Sequence, residues 1–168
     1  MIELLSGGFS TEFGLAAICS RMAVAAGFGL VIGFDREVRS VSAGLRTHML
    51  VSLAAATFAI LAFEIVAQAT REGIDNADPV RIIEAVTAGV AFLAAGTIIR
   101  GGDRVRGLTT GAGLWLAGAI GLACGVGAWA VAFLATLLGI VILTVLRHVE
   151  RILALKPRTA SRDAGNGR

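Results

Sequence analysis

The chain has 168 residues, of which 56% are hydrophobic and 16% charged, at a mean hydropathy of +0.81. That balance excludes an ordinary soluble domain and favours lipid-embedded spans of roughly 20 mostly apolar residues each. A formal net charge of +3 would suit a nucleic-acid binder, but the placement of the charges argues against one.

Residues 1–12 are read as a periplasmic N-terminal segment. The first apolar stretch runs from Phe13 to Phe34, broken only by Arg21. No basic segment precedes it, so it reads as an uncleaved signal and first span. A second stretch covers about Leu45 to Val66, with Glu64 near its end. The polar segment Gln68 to Pro79 separates it from a third span, about Val80 to Ile99, which carries Arg81 and Glu84 in its first turns. After the loop Arg100 to Arg106, the 40 residues from Gly107 to Leu146 carry no charge. That is twice one span, and Gly125 and Gly127 bracket a turn near its middle. Two helices, about 108–124 and 128–147, are therefore predicted. Residues 148–168 read as a basic cytoplasmic tail with the polar composition of a disordered segment.

The expected fold is all-α: a compact bundle of about five transmembrane helices, spanning 13–147. Five spans put the termini on opposite sides. The loops after spans one and three and the C-terminal tail hold 12 of the 15 Lys and Arg; the other side holds Arg71 and Arg81, and Arg21 lies within a span. The positive-inside rule then puts the C-terminus in the cytoplasm and the N-terminus outside. The basic charge is mostly topology, with some attraction to anionic lipid headgroups. Nucleic acid is not an expected partner.

Two spans carry small residues at every fourth position: Ala25, Gly29 and Gly33, then Gly113, Ala117, Gly121 and Gly125. Each set makes a smooth helix face that another backbone can approach closely. Helix packing, within the chain or between copies, is favoured over a pore lining. A weak repeat is also visible. Gly33, Gly44, Leu45 and Thr47 recur 63 residues later as Gly96, Gly107, Leu108 and Thr110. Such repeats are familiar in transporters.

Two segments are more patterned than a connecting loop requires. In the first, Asp35, Arg36 and Glu37 are followed by Gly44, Leu45, Arg46, Thr47 and His48; the second is Arg106, Gly107, Leu108, Thr109 and Thr110. Asp35 and Glu37 are weak candidates for holding a hard cation through oxygen. An interfacial ion-pair network explains them better beside so many arginines. Gly44 is expected to supply an unusual backbone angle and Thr47 a helix cap. His48 has no matching ligand partner and reads as a hydrogen-bonded interfacial residue rather than a proton sensor or metal ligand. Charges within spans are expensive; Arg21, Arg81 and Glu84 are expected to form an outer polar cluster, with Glu84 facing protein or water. Cys19 and Cys124 lack metal-ligand spacing and read as small buried thiols. No GxxxxGK[ST] loop, GxSxG elbow or HExxH motif is present. An enzyme is not expected, nor a cofactor.

Several of these segments, in order, resemble the MgtC/SapB family of bacterial inner-membrane proteins: Gly33 to Glu37, Ala43 to Val51, Asp78 to Arg81, Gly89 to Gly96, and Val105 to Thr110 with Leu114 and Trp115. The resemblance runs from about residue 20 to 147. It implies a five-helix domain in the bacterial inner membrane, and a role in magnesium homeostasis or acid and low-magnesium stress. It also implies regulation of another membrane complex, such as the ATP synthase. The sequence departs from the family pattern at several points. Ala91 and Ala94 replace glycines of the third span, Asp35 and Phe34 stand where Glu and Leu are commoner, and Glu84 where Gln is. Longer members add a C-terminal domain resembling the ACT fold; this sequence, ending at Arg168, is expected to be a short form. A non-enzymatic regulator, acting on a partner or as a homo-oligomer, is the favoured reading. The alternative is a transporter or channel for Mg2+ or another small cation or solute, suggested by the acidic residues and the repeat. A path lined by acids would favour transport, and a closed bundle with an exposed small-residue face would favour regulation.

Overall fold

The computed structural model describes residues 11–74, 78–101 and 104–149. Among these residues five helices follow in order: α1 (Leu15–Val38), α2 (Leu45–Arg71), α3 (Pro79–Ala95), α4 (Leu108–Val126) and α5 (Trp129–Val141), the last running on through a π-helical turn, Ile142–Leu146. Four of them, α1, α2, α4 and α5 with its extension to Val149, are long and apolar enough to cross a membrane. α3 has 17 residues, which at 1.5 Å each is roughly 26 Å.

Local chemistry sets the boundaries. The Asp78 side chain accepts a hydrogen bond from the Val80 N–H at 2.9 Å, with Pro79 in the first turn of α3, as N-terminal preferences dictate. The uncharged 40-residue stretch breaks at Gly127, whose φ of 82° is left-handed and costs glycine little. Gly125, expected to help make that turn, stays inside α4. The loop expected after the third span is a β-hairpin, Ile99–Gly101 pairing antiparallel with Arg104–Arg106.

α4 is the centre of the bundle and packs against all four other helices; α2 lies between α1 and α4. The small-residue ladders make this possible, and both are used within the chain. A Cβ on Gly29 would stand 2.7 Å from the His48 carbonyl oxygen, and one on Gly33 2.8 Å from the Leu45 Cα. From α4, a Cβ on Gly125 would meet the Ala56 carbonyl of α2 at 2.6 Å, and one on Gly121 would strike the backbone of Ser52. Ser52, fully buried, donates to the Ala25 carbonyl at 2.8 Å and ties α2 to α1. Replacing it with Ala is expected to cost about 1 kcal/mol, read as a lower thermal midpoint in detergent. Leu114, Ala117, Ile120 and Cys124 of α4 are wholly buried among these contacts. Cys19, expected to be buried like Cys124, is exposed on α1, because the inward face of that helix is the Ala25–Gly29–Gly33 line.

The helices gather their ends into two groups. One end, called here the basic end, holds the α1–α2 turn, the β-hairpin, the start of α4 and the finish of α5. At the other, the backbone N–H groups of Glu12 and Phe13 donate to the Glu64 carboxylate at 2.9 and 3.2 Å, and Arg71 pairs with Glu12. The expected N-terminal segment and C-terminal tail fall mostly at 1–10 and 150–168, outside the described residues.

Candidate functional site

The two patterned segments meet at the basic end. Gly44 and Gly107 are the N-caps of α2 and α4, so the residues that repeat 63 positions apart occupy equivalent helix starts: Leu45 and Leu108 come first in each helix, Thr47 and Thr110 third. Arg36 reaches from α1 into the space between these starts. Its Nη2 donates to the Thr110 hydroxyl at 3.1 Å, and the residue is 2% exposed. His48, in the first turns of α2, is 0% exposed. Its Nδ1 lies 2.8 Å from the Gly44 carbonyl oxygen. A carbonyl only accepts, so Nδ1 carries the proton, and a neutral ring then turns a bare Nε2 lone pair inward.

Three buried atoms here lack a hydrogen-bond partner: Arg36 Nε, Arg36 Nη1 and His48 Nε2. The neighbouring charges on Arg36 are Asp35, which attracts it, and Arg39 and Arg147, which repel it. Burying a guanidinium with two unanswered donors is costly. Structural convenience does not account for it, which makes Arg36, His48 and Thr110 the candidate site.

The other residues of the two motifs support this arrangement. Glu37 Oε2 accepts the Leu45 N–H at 3.0 Å and so caps α2 from the preceding helix. Gly44 has a φ of −106°, open to any residue; what it supplies is room for the Glu37 carboxylate, which a Cβ would strike, rather than an unusual backbone angle. Thr47 is not the cap: it is the third residue of α2, and the N-cap position is Gly44. Gly44→Ala is expected to displace Glu37 and cost about 1 kcal/mol, as loss of an N-cap does, and Glu37→Gln, which keeps an acceptor, to cost less; thermal unfolding of both variants checks it. Gly107, at φ 87°, is confined by the Thr97 carbonyl. Arg46, Arg106, Leu108 and Thr109 are exposed. Asp35 forms an ion pair with Arg39, Nε to carboxylate 2.8 Å. The proposed cation ligands do not converge: residues two apart on a helix project to nearly opposite sides, and each carboxylate has a different partner. No cluster of three metal-ligating side chains occurs among the described residues.

The expected outer polar cluster is not assembled. Arg21 turns instead to α4, donating to the Gly125 carbonyl at 2.7 Å with its guanidinium 4.0 Å from the Phe13 ring centroid. A cation at a helix C-terminus is favourable, and this satisfies Arg21 without an acid. Arg81 and Glu84 are exposed on α3, with no ion pair to any described residue. Ala94, expected from the resemblance to stand in place of a glycine, is buried on α3, its carbonyl 3.0 Å from where a Cβ of Gly111 would lie. Gly111 provides the close approach there. Ser52, Glu64 and Arg147 were not singled out from sequence as functional residues; His48, Ser52 and Ala56, spaced by four, are the complementary stripe that would have revealed Ser52.

The profile of the MgtC family matches residues 22–152, taking in every residue of this site. The chain belongs to the MgtC family. Among its relatives, Protein MgtC of Brucella abortus (strain 2308) is 37% identical over 125 residues, 74% of this chain and 49% of that protein. Protein MgtC of Salmonella typhimurium (strain 14028s / SGSC 2262) is 38% identical over 110 residues, 66% of this chain and 44% of that protein. A protein of Escherichia coli K12 named putative magnesium transporter YhiD is 34% identical over 121 residues, 70% and 55% respectively. The chain spans about half the length of the curated relatives it matches. No solved structure matches it. With its apolar helices, this family member is a multi-pass membrane protein.

Proposed function

We propose that this MgtC-family protein is a non-enzymatic regulator in the bacterial inner membrane, serving adaptation to low magnesium or acid by binding another membrane complex. The observation that carries the reading is the contrast between a closed centre and a third helix that packs on α4 and α2 yet leaves most of its surface exposed. The α1–α2–α4 core is sealed by backbone contact at glycine, and among the described residues its one buried charge is a cation, Arg36. Asp35 and Glu37 each hold a bond at the end of α1, and Glu64 accepts the Glu12 and Phe13 N–H groups. That arrangement supports no acid-lined route for a cation. On α3 only Ala94 is buried, and Arg81, Glu84, Ala88 and Ala91 face outward. A carboxylate on such a face is expensive against lipid, and a partner helix would relieve it. The positive-inside rule places the basic end in the cytoplasm and the N-terminus outside.

The name of the Escherichia coli relative favours a second reading, transport of magnesium. Magnesium flux into dye-loaded proteoliposomes separates the two. Regulation predicts no flux above empty liposomes with folded, inserted protein; protein-dependent flux that falls in Asp35→Asn or Glu84→Gln overturns it. Regulation further predicts that Glu84→Gln leaves the thermal midpoint unchanged and weakens growth support in low magnesium.

A further inference from the structure

We infer that the groove between α1 and α5 at the basic end is a binding site for an anionic phospholipid, its phosphate held by Arg147 and its acyl chains lying along Val31, Phe34, Val38 and Ile140. The groove is open on one side with a volume of about 670 Å³, and its walls are these four apolar residues with Asp35, Arg39 and Arg147 at the polar end. Phe34 and Val38 are 60% and 70% exposed, so in a bilayer the groove faces lipid and is filled by it.

The charge balance selects the lipid. Asp35 is neutralised by Arg39, whereas Arg147 has no carboxylate partner among the described residues. Behind the α1 wall, buried Arg36 forms no ion pair among the described residues, Asp35 being taken up by Arg39, and Arg147 adds to the positive field around it. The groove therefore carries an uncompensated positive field at headgroup level, beside apolar walls that fit acyl chains. A phosphodiester with one negative charge answers Arg147 and relieves its repulsion with Arg36; a zwitterionic headgroup brings its own cation back to the site. The π-helical turn Ile142–Leu146 lies between Ile140 and Arg147, the two groove residues from α5. Turns of this type are frequent at functional sites.

The experiment is lipid retention by the full chain in native mass spectrometry, with phosphatidylglycerol and phosphatidylcholine of identical acyl chains as probes. Wild type is expected to retain phosphatidylglycerol in preference, and Arg147→Gln to lose that preference by roughly fivefold, the usual worth of one arginine at an anionic membrane surface. Arg147→Lys, which keeps the charge, retains it and serves if the glutamine variant fails to fold. Arg106→Gln removes a charge from the exposed hairpin at the same end and is expected to change nothing. Equal retention of the two lipids by wild type, or an equal loss in Arg106→Gln, overturns the site. Displacement of the lipid by soluble glycerol phosphate at millimolar concentration also overturns it, showing a headgroup-anion site with no role for the apolar walls.

Discussion

Replacing Arg36 with methionine is expected to leave the protein at least as stable as wild type while abolishing its support of growth in low magnesium. A buried guanidinium loses its hydration on folding, and this one recovers a single side-chain bond, to Thr110, leaving Nε and Nη1 unanswered. Exchanging buried ionic groups for apolar ones of similar volume is often neutral or stabilising, by about 1–4 kcal/mol. Methionine fills an irregular space well. Thermal unfolding in detergent reads the first half and complementation the second. A raised midpoint with lost function marks a group kept for its task rather than for the fold. A midpoint lowered by the equivalent of about 3 kcal/mol would instead make Arg36 a structural residue.

Gly121→Ala is expected to be among the most damaging single-methyl additions in the chain, while Gly27→Ala is harmless. Both glycines sit in helices. The added Cβ at 121 would strike the Ser52 backbone, with the Ser52 Cα and carbonyl carbon both within 2.8 Å. Backbone cannot rotate aside, so α2 and α4 must separate, at the roughly 1–3 kcal/mol typical of overpacking, and more because the contact lies at the centre of the bundle. At Gly27 nothing lies within 4 Å, so alanine there gains helix propensity, roughly 0.5–1 kcal/mol. Thermal midpoints of the two variants should move in opposite directions. Equal shifts would mean that helix propensity, not backbone approach, dominates these positions.

Both predictions concern residues visible in sequence whose roles were not. The spacing of Gly113, Ala117, Gly121 and Gly125 marks a packing face, but the same pattern serves contacts within one chain or between copies. Only the fold shows that α2 presents His48, Ser52 and Ala56 to it. The GLRT segment at 44 and the GLTT segment at 107 stand out as motifs, yet their meeting depends on α2 and α4 running side by side from the same end.

What the sequence by itself determined is the membrane class, the helix positions to within a few residues, and the family. These follow from local quantities: runs of apolar residues, Asp78–Pro79 opening α3, Gly127 closing α4, and motifs contiguous in the chain. Tertiary structure alone decided which charges are paired. Asp35 goes to Arg39 rather than to a cation, Glu37 to the Leu45 N–H, Arg21 to the Gly125 carbonyl, and Arg36 to Thr110 across 74 positions. A side chain's partner depends on which helix faces it, and that choice is made by backbone approach at glycine, which depends on both helices at once.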